Sequence, residues 1–316
     1  MKQPLIILTG PTASGKTALS VELAKRIGGE IISADSMQVY RYMDVGSAKV
    51  TKEEMDGVLH HLIDVLDPQD AFNVVVFQEM AKKAMEEIYQ NGHIPIVAGG
   101  TGFYIQALLN DIDFTENDGD TKYRQSLEKL AAEQGVNVLH EKLRKVDPDS
   151  ADAIHANNVK RVIRALEFYE KTGKRISEHN EEERQKESPY NFAYYVLNMD
   201  RARLYSRIDV RVDKMVEDGL VEEVEKLKSM GCTRDMVSMQ GLGYKEILDY
   251  LNGELSLDEA VYVLKRDTRH FAKRQLTWFK REKEVTWVNQ EEFDFNREKI
   301  LAWMIEDLKN RGILNT

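Results

Sequence analysis

Short apolar runs alternate with amphipathic segments along both ends of this chain. That order is typical of a parallel sheet with helices packed on its faces. The stretch 73–90 is the clearest helix, because Phe77, Ala84 and Ile88 fall on one face of it. Runs rich in β-branched residues and too short for helices predict strands at 5–9, 30–34, 94–98, 193–198 and 285–288. We therefore predict an α/β fold with a parallel sheet flanked by helices.

The middle of the chain has a different pattern of hydrophobic and polar residues. From 121 to 186 only helical periodicity is present, and the acidic stretch 111–120 before it has the composition of a linker. This predicts an inserted all-helical domain at 114–192, with the catalytic core formed by 1–113 and 193–316.

Composition limits the class of protein. The 316 residues are 42% hydrophobic and 31% charged, and a single cysteine excludes internal disulfide bonds and a multi-cysteine zinc site. No apolar run is long enough to span a membrane, and the first strand leaves little room for a targeting peptide. We therefore expect a cytoplasmic protein that does not enter a membrane, and nothing in the sequence indicates more than a monomer. The net charge of −10 argues against bulk affinity for nucleic acid, although local basic patches are present.

The first predicted strand runs directly into a glycine-rich loop that matches G-x-x-x-x-G-K-[ST], and a predicted helix follows. In this context backbone N–H groups close around phosphate oxygens, and the helix N-terminus adds a partial positive charge. Lys16 would reach the outer phosphate, and the Thr17 hydroxyl would hold Mg²⁺. A glycine turn that only links a strand to a helix is disfavoured, because every fixed position is present. The predicted site would bind a diphosphate or a triphosphate, and it comprises Gly10, Thr12, Ala13, Ser14, Gly15, Lys16 and Thr17.

Two further polar residues follow predicted strands. Asp35 comes directly after 30–34, and Thr101 follows 94–98 through a glycine turn. The carboxyl ends of parallel strands meet at one edge of a sheet, so we expect both residues near the phosphate loop. Asp35 could equally cap a turn or a helix, and the sequence leaves these two interpretations open.

Arginines at four-residue spacing follow the strand predicted at 193–198. Arg203, Arg207 and Arg211 form one stripe on the next helix. Arginine, unlike lysine, suits bidentate recognition of phosphate. We expect this stripe to close over the phosphate site.

Basic and aromatic side chains interleave along 265–284, the most basic segment of the chain. The pattern suits a polyanion such as RNA, and a long surface helix with a solvated charged face is the alternative. Lys160, Arg161 and Arg164 form a smaller cluster in the insertion, for which an anion contact and an ordinary solvated face are equally good interpretations. His60 and His61 would point to opposite faces of a strand, so we interpret them as structural and not as metal ligands.

The ordered set of motifs resembles the tRNA dimethylallyltransferase family, also called tRNA isopentenyltransferases, over nearly the whole chain. The resemblance implies a P-loop, nucleotide-kinase-like core in which the loop holds the diphosphate of dimethylallyl diphosphate. It also implies that the prenyl group passes to N6 of the adenosine immediately 3′ of the anticodon, in tRNAs that read codons beginning with U. The segments that carry the resemblance are 10–17, 35–40, 60–64, 99–104, 161–167, 241–246 and 272–279.

The resemblance further implies a role for each site residue. Asp35 would be the general base that takes the N6 proton, and Thr101 would hold the reacting groups in line. Arg207 would neutralise the departing diphosphate together with Lys16 and Mg²⁺, and Arg211 would join the diphosphate contacts. Contacts to the tRNA anticodon stem-loop would come from Ser36, Met37, Gln38, Lys160, Arg161, Arg164, Gln240, Gly243, Lys273, Arg274, Gln275, Thr277, Trp278 and Lys280.

The chain departs from the family pattern at three places. Met37 stands where arginine is frequent, 157–160 stands where Asn-Pro-Gln-Arg is frequent, and Gly241 replaces a common alanine. The first two departures weaken the expected tRNA contacts at those positions.

Three other functions compete with this interpretation. A nucleotide or small-molecule kinase would use ATP at the same loop. An adenylate isopentenyltransferase would prenylate free nucleotide, but it would need neither the insertion nor the basic segment 265–284. An RNA-binding protein with a relic phosphate loop would not need Lys16, Thr17 and Asp35 together.

Overall fold

The computed structural model of this chain describes residues 2–114 and 121–314. It divides into two compact units, a core of Met1–Leu109 with Pro189–Thr316 and an insertion of Asn110–Ser188. Of the predicted linker 111–120, residues 115–120 lie outside the described residues. No helix of the described part is long and apolar enough to cross a membrane.

The core contains a six-stranded parallel sheet in the order β3-β2-β4-β1-β5-β6. The α/β prediction is confirmed, and each of the predicted strands is present within a few residues. The short β3 is an additional strand that the apolar pattern did not indicate. The strands are β1 Gln3–Thr9, β2 Gly29–Ala34, β3 His60–His61, β4 Ile94–Gly99, β5 Tyr190–Asn198 and β6 Val285–Asn289.

Both faces of the sheet are covered, which is why its strands read as continuous apolar runs. Side chains alternate between the faces of a strand, and Leu5, Ile6, Ile7 and Leu8 of β1 are all at most 1% exposed. The helices before the insertion are α1 Lys16–Ile27, α2 Lys52–Met55, α3 Val74–Gln90 and α4 Gly102–Leu109.

The insertion is entirely helical over its described residues. Its own apolar core includes Leu127, Leu139, Leu143, Val162 and Leu166. Its helices are α5 Thr121–Gln134, α6 Val136–Val146, α7 Pro148–Ala153, α8 Val159–Thr172 and α9 Ile176–Gln185.

The last part of the chain returns to the core. One face of the sheet packs against α1 and the C-terminal helix through Leu19, Leu23, Leu301 and Met304. The remaining helices are α10 Arg201–Glu217, α11 Leu220–Ser229, α12 Tyr244–Leu251, α13 Leu257–Phe279 and α14 Arg297–Asn310.

Candidate active site

Three neighbouring strands end at the same level of the sheet. Thr9 of β1 and Ala34 of β2 are both register partners of Gly99 in β4. The phosphate loop, Asp35 and Thr101 follow these three positions. The Thr101 N–H donates to the Ala34 carbonyl at 3.1 Å, which holds the chain after β4 beside the end of β2. The structure therefore brings Asp35 and Thr101 to the edge that carries the phosphate loop.

The phosphate loop has backbone angles that favour glycine. Gly15 lies at φ 92° as the N-cap of α1, and Ala13 also has a positive φ of 63°. Gly10 passes so close to β5 that an added Cβ would lie 2.8 Å from the Leu197 carbonyl oxygen. Because Gly15 has no side chain to cap the first N–H groups of α1, those donors can serve a bound anion.

Glutamines from the C-terminal part of the core hold this loop. The Gln275 side chain accepts from the Thr12 N–H at 2.9 Å and donates to the Gly100 carbonyl at 2.9 Å. Gln290 donates to the Ser14 carbonyl at 3.0 Å. Gln275, which the sequence assigned to tRNA contact, is therefore buried and bridges the two glycine loops. Its contact with tRNA stays a prediction.

Two arginines of the predicted stripe on α10 reach the same loop, whereas the third, Arg203, lies over the Phe295 ring. Arg207 Nε donates to the Ala13 carbonyl at 2.8 Å, and Arg211 Nη1 donates to the Thr12 hydroxyl at 3.3 Å. Two guanidinium groups therefore lie at the loop where a diphosphate would carry its charge.

Lys16 is half-buried within this arrangement. Its Nζ lies 3.5 Å from the Pro11 carbonyl oxygen. Burial and the positive charge of Arg211 lower the pKa of Lys16 to about 8, and the negative charge of Asp35 partly opposes this shift. An anion bound beside the ammonium would raise that pKa again, because it would stabilise the charged form.

Many of the predicted site residues line one cavity. Seven predicted residues line it, and they come from the phosphate loop, the end of β2, α10 and α13. These residues are Thr12, Lys16, Thr17, Asp35, Gln38, Arg211 and Gln275. The lining also includes residues that the sequence analysis did not single out for function, namely Ser20, Ile31, Ser33, Ser47, Val50, His60, Ile63, Ala98, Gly99 and Phe271. Of these, Ile31 and Ser33 could have been inferred from the sequence, because residues two positions apart on a strand such as β2 point to the same face of the sheet.

Asp35 opens a tight turn at the end of β2. Its Oδ1 accepts from the Met37 N–H at 2.9 Å. The Gln38 side chain accepts from the Ser33 hydroxyl at 3.4 Å and donates to the Ala48 carbonyl at 3.3 Å. Both interpretations of Asp35 therefore hold, because one carboxylate caps the turn and lines the cavity.

The exposed side of α13 forms a groove. Its lining consists of His270, Lys273, Arg274, Thr277, Trp278 and Arg281. His270 and Arg281 were not predicted, although His270 lies three and four residues before Lys273 and Arg274 on the same helical face. Arg281 lies in the turn just after the C-cap of α13. Lys280 is exposed at the C-cap of this helix and is not among the residues that line the groove.

Trp278 connects this groove to the loop after β4. Its ring lies against Gly102, where an added Cβ would be 2.3 Å from the indole Cδ1. The ring also meets Phe103 edge to face, with centroids 6.1 Å apart. The aromatic side chain therefore packs beside the turn that holds Thr101.

In the insertion, Lys160, Arg161 and Arg164 are all exposed on α8. They remain available to an anion, and their contact with tRNA stays a prediction.

Comparisons with known proteins agree on one family. The family profile described as IPP transferase matches residues 38–282 of this chain. This chain belongs to the IPP transferase family. It is 61% identical over 312 residues to a tRNA dimethylallyltransferase of Lachnoclostridium phytofermentans, covering 99% of each.

Solved IPP transferase structures resemble the whole chain. A full-length tRNA isopentenylpyrophosphate transferase from Bacillus halodurans matches with a TM-score of 0.73 and 46% identity, over 99% of this chain and 98% of that one. A eukaryotic dimethylallyltransferase studied while acting on tRNA matches with a TM-score of 0.84 and 30% identity, over 98% of this chain and 80% of that one.

Two departures from the IPP transferase pattern are in contact here. A Cβ added to Gly241 would lie 2.6 Å from Met37 Sδ, so the methionine occupies the space that an alanine would need. Ser36 beside it is half-buried, and Gln240 is exposed. Gly243 is buried and donates its N–H to the Glu246 carboxylate at 2.8 Å. The tRNA contacts of these residues stay predictions.

The residues present fit a Mg²⁺ ion at Thr17. The Thr17 side chain lines the same cavity as Lys16 and Asp35. Mg²⁺ keeps several waters and takes few protein ligands beside substrate phosphate oxygens, so one hydroxyl is a sufficient protein donor. Over the described residues, no cluster of three or more His, Cys, Asp or Glu side chains offers an alternative metal site.

Proposed function

We propose that this protein transfers the dimethylallyl group of dimethylallyl diphosphate to N6 of the adenosine 3′-adjacent to the anticodon, in tRNAs that read codons beginning with U. One observation carries the proposal: a single cavity joins the cationic phosphate site of Lys16 and Arg211 to the Asp35 carboxylate. Relatives that are 52–61% identical to this chain are tRNA dimethylallyltransferases, which supports the same reaction.

On the donor side, the protein must stabilise a departing diphosphate. The first N–H groups of α1, the Lys16 ammonium and the Arg211 guanidinium bind the diphosphate oxygens, and Arg207 contributes charge from outside the loop. As the allylic C–O bond breaks, negative charge grows on the leaving oxygen, and these fixed donors stabilise it without rearrangement. Mg²⁺ held by Thr17 would add positive charge at the same oxygens.

On the acceptor side, the protein must activate a weak nucleophile, because the N6 lone pair is delocalised into the adenine ring. The N6–C bond forms as the C–O bond breaks, and the N6 proton passes to the Asp35 carboxylate. Thr101, held beside the end of β2, orients the reacting groups so that nitrogen, carbon and leaving oxygen lie in line. The products are the prenylated adenosine and diphosphate.

The tRNA reaches this cavity by presenting an anticodon loop with its adenine turned out of the stack. Extruding a loop base costs a few kcal/mol, less than extruding a paired one. Lys273, Arg274 and Arg281 of the α13 groove contact the phosphates, and Trp278 offers a stacking surface. The exposed cluster on α8 of the insertion supplies further phosphate contacts. We propose a cytoplasmic monomer, since the acceptor is tRNA and the contacts proposed for both substrates come from one chain.

A labelled-substrate assay tests the proposal. The purified protein receives radiolabelled dimethylallyl diphosphate with unmodified tRNA that has an adenosine 3′ of the anticodon, with the same tRNA lacking that adenosine, or with AMP. Labelled ATP is supplied in parallel. We expect label in the first tRNA alone. Label in AMP would indicate a free-nucleotide prenyltransferase, and phosphate transfer from ATP without prenyl transfer would indicate a kinase.

A further inference from the structure

Glu223 of α11 binds a turn that lies far from it in the chain. Its Oε2 accepts from the Asp44 and Val45 N–H groups at 2.7 Å each, and its Oε1 accepts from the Gly46 N–H at 2.9 Å. The Tyr244 hydroxyl donates to the same Oε1 at 2.9 Å. Four donors therefore converge on one carboxylate, and hydrogen bonds to a charged acceptor are the strong ones.

The tyrosine is part of the same arrangement. Tyr244 is fully buried, and a Cβ added to Gly46 would lie 2.6 Å from its ring carbon Cζ. Burial, together with the negative charge of Glu223, raises the pKa of Tyr244 well above its usual range, so the hydroxyl keeps its proton and remains a donor. The turn is thus fixed by its N–H groups and by close packing on the ring.

The segment that begins at this turn forms one wall of the cavity. Ser47 and Val50 line the cavity directly. The Ala48 carbonyl accepts from the Gln38 side chain at 3.3 Å. Lys49 is buried, and its ammonium donates to the Tyr40 carbonyl at 2.7 Å. The segment 44–50 therefore determines where this wall and the Gln38 side chain lie.

We propose that Glu223 is a positioning residue for tRNA recognition: with Tyr244, it fixes the segment 44–50 that shapes the cavity wall and places Gln38. The inference rests on the proposed function for its substrate. The hydrogen bonds of Glu223 go to 44–46 and to Tyr244, and not to the phosphate loop or Asp35, so it acts through the segment that it holds.

The test uses Glu223→Gln in the full chain. A carboxamide keeps one oxygen but turns an NH₂ group either toward the Asp44 and Val45 N–H groups or toward the Gly46 N–H and the Tyr244 hydroxyl, which can also accept, so at least one backbone hydrogen bond is lost in either orientation. We expect the KM for tRNA to rise about 10-fold or more, since loss of one hydrogen bond to a charged acceptor costs about that factor or beyond it. We expect kcat and the affinity for inorganic diphosphate to stay within about twofold, because Gln275, Arg207 and Gln290 hold the phosphate loop independently. Glu225→Gln, an exposed carboxylate on the same helix, is the matched control and should leave every value unchanged.

Amide hydrogen exchange in 44–50 separates this inference from the proposed function. Faster exchange there in Glu223→Gln, but not in Glu225→Gln, is expected whether or not tRNA is the acceptor. The inference would be overturned if both the exchange rates and the KM for tRNA were unchanged. It would also be overturned if diphosphate affinity and melting temperature fell together with tRNA affinity, because that result indicates a purely structural role. Absence of prenyl transfer by the unmodified protein would overturn the proposed function instead. Should Glu223→Gln fail to fold, Tyr244→Phe removes only one of the four bonds, and we expect a smaller rise of the tRNA KM in the same direction.

Discussion

Replacing Gln275 with leucine removes the side chain that bridges the two glycine loops. In the native core this side chain is 5% exposed and makes one hydrogen bond of 2.9 Å to the Thr12 N–H and one of 2.9 Å to the Gly100 carbonyl. Leucine is of similar size, so the change removes both bonds without creating a large cavity. The Thr12 N–H donor and the Gly100 carbonyl acceptor are then left without a partner.

The magnitude follows from those two groups. A buried polar group left unsatisfied costs roughly 1–3 kcal/mol, so two such groups in Gln275→Leu should lower the free energy of unfolding by about 2–6 kcal/mol. For a core of this size, that loss corresponds to a decrease of roughly 4–24 °C in the melting temperature. Because the phosphate loop and the Thr101 turn would no longer be tied together, we also expect the single-turnover rate to fall at saturating tRNA.

Thermal unfolding, equilibrium tRNA binding and single-turnover prenyl transfer test this reasoning together. Lys273→Ala is the control on the same helix, since Lys273 lines the exposed groove. It should weaken tRNA binding and leave the free energy of unfolding within about 0.5 kcal/mol of the native value. If Gln275→Leu unfolds at the native temperature and loses only tRNA affinity, Gln275 is an RNA contact and the bridging role is wrong.

Three further predictions concern the chemistry and the groove. Asp35→Asn, which keeps an acceptor for the Met37 N–H, should lower the single-turnover rate about 100-fold or more with tRNA binding unchanged; a native rate would remove Asp35 from the role of general base. Because the protonated form of Lys16 binds the anion and its pKa is about 8 in the free protein, affinity for inorganic diphosphate should fall as the pH rises through 8. Calorimetry should find that fall flattened in Lys16→Arg, and an identical pH profile in both proteins would contradict the assignment. Arg281→Gln should reduce the slope of log tRNA affinity against log salt by roughly 0.7–0.9, whereas Lys299→Gln on α14 should not change it.

The sequence determined those features whose signal is local. The strand, glycine loop and helix of 3–27 are contiguous, so the phosphate site could be recognised before any packing was known. Burial on both faces makes the inner strands of the sheet continuous apolar runs, and the parallel order then brings Asp35 and Thr101 to the loop edge. The helical insertion was evident from the absence of strand pattern, although its ends in the structure, Asn110 and Ser188, lie a few residues before those predicted.

Tertiary structure alone decided how the site is held together. The bond between Thr12 and Gln275 joins residues 263 positions apart, and the one between Asp44 and Glu223 joins residues 179 apart. No periodicity relates such residues, because each bond depends on how α11 and α13 pack against the loops. A sequence pattern indicates which residues of one helix or strand are buried. It does not distinguish a polar side chain that faces water from one that bonds a distant backbone group. Thus the bridge that Gln275 makes between the glycine loops, and the bonds from Glu223 to the distant turn, became visible only when the fold placed their partners beside them.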